Sequence, residues 1–150
     1  MAAYCNAEDV MKMIKSDMVN AILGDEYIED EEEKAKKLRE LSEDALADAD
    51  AEIDGYLSKR YRLPFDKVPA ILNKFSKDIA VYNLASRIGI DESEREKTFL
   101  NRYNAAIKFL TLVAEGKIDI GVYEPQKVSA SGFQMNSSGR KFNRNSLQGW

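Results

Sequence analysis

The sequence predicts an all-α protein: a small helical bundle of two short N-terminal helices, one long helix and two further helices, followed by an extended C-terminal tail. Three observations carry that prediction. Apolar residues recur at steps of three and four from Val10 to Ala114, the period of one helical face. Gly24, Pro64, Pro69 and Gly116 punctuate the pattern where helices should start or stop. One periodic run, residues 32–61, is long enough to serve as a spine.

Each element can be justified in turn. Asn6 is a good N-cap, and Asp9 places negative charge at the helix N-terminus; Val10, Met13 and Ile14 then share one face. Ser16 or Asp17 can cap a second short helix holding Met18, Ile22 and Leu23, which Gly24 closes. Residues 25–33, DEYIEDEEE, make an acidic turn into the long helix. There Leu38, Leu41, Ala45, Ala49, Ile53, Tyr56 and Arg60 form a stripe that Leu46 and Leu57 widen. Acids fill its first turn and Lys59 and Arg60 its last, both favourable to the helix dipole. Leu63 precedes Pro64 and is pushed out of helical geometry, so the helix stops nearby.

Pro69 suits the first position of the next helix. Ile71, Leu72, Phe75, Ile79 and Tyr82 line one side of it. Ala80, Val81, Leu84, Ala85 and Ile88 make its second half apolar nearly all round, the pattern of a bundle's centre. Ser93 with Glu96 fits a capping box for the last helix. Its stripe is Phe99, Tyr103, Ile107, Leu110 and Ala114, and Gly116 ends it. Ile118, Ile120 and Val122 then alternate with other residues, the period of a short strand. That strand could join a partner's sheet edge, or the segment could pack on its own bundle. Pro125 to Trp150 has no helical period and many serines, asparagines and glycines. The chain thus divides into a helical domain, 1–121, and an extended tail, 122–150, expected to order on assembly.

Charge follows the same division. The chain holds 22 basic and 26 acidic residues, a net −4. Residues 125–150 contain Lys127, Arg140, Lys141 and Arg144 and no acid, leaving 18 basic against 26 acidic, or −8, for residues 1–124. Histidine is absent and Cys5 is the single cysteine, so no histidine-activated nucleophile, internal disulfide or cysteine metal cluster can be built. No phosphate loop or dinucleotide-binding glycine turn occurs. Neither an enzyme, a cofactor nor a metal site is expected. The start of the sequence lacks a basic segment followed by an apolar run, and no apolar stretch approaches the roughly 20 residues of a membrane span.

The stretch AEIDGYLSKRYRLPF, residues 51–65, raises a sharper question. Gly55 inside a helix costs about 1 kcal/mol relative to alanine. Close approach of another backbone is the expected reason, because the apolar period continues past it through Tyr56, Leu57 and Arg60. The basic cluster Lys59, Arg60 and Arg62 can cap the helix, meet an acidic neighbour or touch DNA, with capping favoured. Three cations beside a body of −8 give DNA only a weak, salt-sensitive attraction.

This stretch, with VPAILNKFSKDIAVYNLASR and RYNAAIKFLTLVAEGKIDIG, resembles the Mu gp36-like family of tailed-phage proteins, itself similar to phage head–tail connector (adaptor) proteins. The shared pattern runs from residue 4 to 121. It centres on Ile53, Gly55, Tyr56, Leu57, Arg60, Tyr61, Leu63 and Pro64. Residues 25–33 lack the D-x-D-x-D-G spacing of a calcium loop, so no calcium site is carried over. The resemblance implies a virion structural protein at the head–tail interface, assembled in the host cytoplasm. Its subunits would close a homo-oligomeric ring, expected to be a dodecamer, beneath the portal protein. The ring would extend the channel for genomic DNA without sequence-specific binding and would dock a downstream neck or tail protein.

The tail suits docking. Extended at about 3.3 Å per residue, residues 125–150 span up to roughly 85 Å. Phe133, Met135, Phe142, Leu147 and Trp150 are spaced as anchors for a partner's pockets, and Arg140, Lys141 and Arg144 can pair with a partner's acids. Two alternatives stay open: another neck or tail-completion protein (head-closure or tail-terminator), and a small helical DNA-binding regulator.

Overall fold

The structure, a computed structural model, describes residues 4–24, 28, 30–87 and 94–122, with the side chains of 94–96 left aside. Five helices form among these residues: α1 (Ala7–Met11), α2 (Ser16–Ile22), α3 (Glu31–Leu57), α4 (Ala70–Ser86) and α5 (Glu94–Ala114). The predicted all-α class holds. The tail residues Phe133, Met135, Arg140, Lys141, Phe142, Arg144, Leu147 and Trp150 lie outside the described residues, as do Ile88, Ser93 and residues 25–27 and 29 of the acidic turn.

Three long helices make the bundle. Helix α4 packs against both α3 and α5, and α1 lies across α3 and α4. The core seam of α3 is Leu38, Ser42, Ala45, Leu46, Ala49, Ile53 and Leu57, spaced to keep one face inward. Helix α4 buries Leu72, Phe75, Ile79, Ala80, Val81, Leu84 and Ala85, as its all-round apolar pattern predicts for a central helix. Three polar residues join that interior among the described residues: Ser42, Asp78 and Ser76, the last donating its hydroxyl to Asp50. Ser42 donates its hydroxyl to the Leu38 carbonyl one turn back, which satisfies it without a partner helix. Asp78, with its side chain 1 % exposed, lies 2.7 Å from Lys74 Nζ and 2.6 Å from an Arg102 guanidinium nitrogen. The Arg102 contact is an ion pair without hydrogen-bond alignment, and it links α4 to α5.

Several expectations are corrected. Helix α3 ends at Leu57, with Ser58 as C-cap, rather than at Tyr61. Both Arg60 and Tyr61 turn their backbone N–H back onto the Leu57 carbonyl, so the chain tightens and leaves the axis there. Lys59 and Arg60 therefore stand beyond α3 and do not cap it. Helix α2 begins after Lys15 with no side-chain cap, so neither Ser16 nor Asp17 has that role. Pro69 is the N-cap of α4 rather than its first residue, its carbonyl accepting from Leu72 and Asn73. The buried seam of α5 is Ala106, Leu110 and Val113. Phe99, Tyr103 and Ile107 flank it half-buried, because the bulky side chains reach the core from the sides.

Gly55 is exposed, and a Cβ there would meet nothing within 4 Å. Close backbone approach is not its reason within this chain. The segment 118–122 forms no strand: Ile118, Ile120 and Val122 pack on the bundle they follow. Asn6 does cap α1, its side chain accepting from Asp9 N–H at 2.8 Å. No described helix is long and apolar enough to cross a membrane.

Candidate functional site

The stretch singled out in the sequence becomes the junction where α3, α5 and the chain's exit meet. Ile53 and Leu57 are fully buried, and Tyr61 is 6 % exposed. Tyr56, Leu63 and Phe65 are half-buried against the same core, and Pro64, after a cis peptide bond, is exposed. Tyr61 meets Phe65 edge-on at 5.9 Å between ring centroids, which fixes the loop beyond α3 to the core.

Arg60 performs the capping, but for another helix. Its guanidinium donates to the Val113 carbonyl at 2.9 Å and to the Ile118 carbonyl at 3.2 Å, at the C-terminus of α5. A cation is favourable there because the last carbonyls carry partial negative charge. Gly116 makes the arrangement feasible. Its φ of +82° lets Gly116 N–H reach the Val113 carbonyl and Lys117 N–H reach the Leu112 carbonyl, a Schellman closure. The guanidinium carbon lies 3.7 Å from where a Gly116 Cβ would stand. Arg60 also sits 5.5 Å from the Tyr61 ring centroid, and Ile120 N–H points at the Tyr61 hydroxyl at 3.5 Å. The exit segment 117–122 is thereby bound to the body.

A second surface lies farther up α3. Asp44, Asp48 and Glu52 line a shallow open groove with Ala45, Asn83, Ser86 and Arg87. Tyr103 donates its hydroxyl to Glu52 at 3.0 Å and stacks on Tyr82 at 4.3 Å between centroids. Burial, then the bond to Glu52, pushes the Tyr103 phenol up to about 12. With three acids against one arginine, the groove is unsuited to phosphate.

The third polar site was missed by the sequence reading. Tyr4, 2 % exposed, donates its backbone N–H to Asp50 Oδ2 at 3.2 Å and its hydroxyl to Asp54. Asn73 donates to the Tyr4 carbonyl at 2.8 Å, and Ser76 donates to Asp50 Oδ1 at 2.8 Å. The Cys5 sulfur sits 3.4 Å from the Ser76 hydroxyl. Burial pushes the Asp50 carboxyl, the Tyr4 phenol and the Cys5 thiol upward. The spacing of Asp50 and Asp54, one turn apart, was available in the sequence, but nothing local says that a residue 46 positions away meets them. Among the described residues no three potential ligands gather to hold a metal ion.

Comparison with known proteins decides the family. The family model described as Bacteriophage Mu, Gp36 matches residues 4–137. The chain belongs to the phage Mu Gp36 family. It is 34% identical over 110 residues to the Mu-like prophage FluMu protein gp36 of Haemophilus influenzae, covering 72% of this chain and 74% of that protein. It is also 35% identical over 92 residues to Gene product J of Escherichia phage Mu, covering 61% of each. This Gp36-family chain is thus a phage protein. The match begins at Tyr4, the first residue of the buried network, and continues past Gly121, where the motif resemblance stops. Phe133 and Met135 fall inside the family match, and Arg140 to Trp150 lie beyond it.

Proposed function

We propose that this Gp36-family protein is a structural head–tail connector, or adaptor, a subunit of a ring beneath the portal. The observation that carries the reading is family membership in a phage protein group joined to a helical body of the kind expected of a connector. That body counts against the β-rich head-closure and tail-terminator proteins. The ring extends the DNA channel and offers a seat to the next neck or tail protein, and it works by contact alone, without turnover. The −8 body and its acidic groove favour a wall that lets DNA pass. The basic, aromatic tail from Pro125 to Trp150 supplies the contact to the portal or to a neighbouring subunit.

The test is direct. Purified full-length protein mixed with the portal of its own phage should form a ring on the portal, visible by electron microscopy. A version lacking residues 125–150 should bind it poorly. Binding to tail tubes but not to portals would move the protein to the tail end and overturn the connector reading.

A further inference from the structure

We infer that residues 4–14 form a strap that opens from α3 and α4 as a unit while α3, α4 and α5 stay folded. The geometry of its attachment carries this. Each polar atom of Tyr4 is bonded to a side chain of α3 or α4: its N–H to Asp50, its hydroxyl to Asp54, its carbonyl to Asn73. None joins a helical or sheet ladder that would continue into the body. Helix α1 has only five residues, far below the length that holds a helix by itself. It keeps its shape because Ala7, Val10 and Ile14 are buried against the bundle.

The two acids that hold Tyr4 also work against closure. Asp50 and Asp54 are like charges one turn apart on α3, a destabilising pairing that water would screen. Closing the strap removes water from around Asp50, as the upward push on its carboxyl records. Opening returns that hydration, which offsets part of what the bonds to Tyr4 contribute, and the apolar contacts of a short segment supply the rest. The Glu8–Arg39 ion pair between α1 and α3, at 3.2 Å, is more than half exposed on both sides and adds little. By contrast, α3, α4 and α5 run 27, 17 and 21 residues over a shared core. A polar network of this kind holds together or fails together, which makes the opening cooperative.

Hydrogen exchange on the full chain, read by mass spectrometry or NMR, tests this. In the wild-type protein the amides of Val10, Lys12, Met13 and Ile14 should exchange faster than those of Ile79 to Leu84 in α4. Tyr4→Phe keeps the ring and removes the bond to Asp54, and should accelerate the strap amides about tenfold with the α4 amides unchanged. Asn73→Ala, which removes the donor to the Tyr4 carbonyl, should act with the same selectivity and smaller size. Equal protection of strap and α4 in the wild type would overturn the inference. So would variants that move both sets together, or that leave the strap amides where they were.

Discussion

Where the chain enters the body, Tyr4 reaches two carboxylates one turn apart on α3; where it leaves, Arg60 just past α3 reaches one carbonyl in the last turn of α5 and another in the segment beyond it. The entry is tied to α3 itself and the exit to the loop just past it, with charges of opposite sign. At the exit, a guanidinium complements the partial negative charge at the C-terminus of α5. At the entry, a buried phenol and the half-buried Asp50 carboxyl share a site where burial pushes both upward. The exit is built to hold, and the entry to hold conditionally.

Replacing Arg60 by alanine should do the most damage to this contrast. It uncovers the Val113 and Ile118 carbonyls together and should cost about 1.5 kcal/mol, measured by urea unfolding. An unchanged midpoint would mean that water caps α5 as well as the guanidinium does. Gly116→Ala forces a side chain into the left-handed region at φ +82° and should cost about 1 kcal/mol. It should weaken the exit and leave exchange of the strap amides as it was.

The entry should respond to alkali instead. The Tyr4 and Tyr103 phenols are held above the ordinary value of 10.0, chiefly by burial, and Tyr103 reaches about 12. Unfolded tyrosine loses its proton first, so the folded state binds more protons above about pH 10 and stability falls as pH rises. Tyr4→Phe removes one of these groups, and its melting temperature should fall less steeply with pH between about 10 and 11 than that of the wild type. Parallel curves would show that Tyr4 titrates alike in both states. The smallest effect is a gain. Gly55→Ala enters open space on an exposed helical face and, only two residues before the end of α3, should stabilise by about 0.5 kcal/mol, less than at mid-helix. A loss would indicate that the close-packing reason for this glycine was right after all.

Periodicity, capping residues and helix stops were legible because they are local. The five helices, the Asn6 cap, the burial of Ile53 and Leu57 and the central place of α4 follow from spacing alone. Gly116 was legible as a stop, and the −8 body with its basic tail needed only counting. Tertiary structure decided what is joined over distance. Arg60 caps α5 rather than α3, because the chain turns off the axis at Leu57 and carries the guanidinium to a foreign helix end. Ile118, Ile120 and Val122 become packing because the bundle offers them an apolar flank. Tyr4 reads as an unremarkable tyrosine until folding sets it against Asp50 and Asp54. The physical reason is the same in each case: hydrogen bonds and helix periods act over a few residues, whereas a charge or a ring finds its partner only once the core has brought distant segments together.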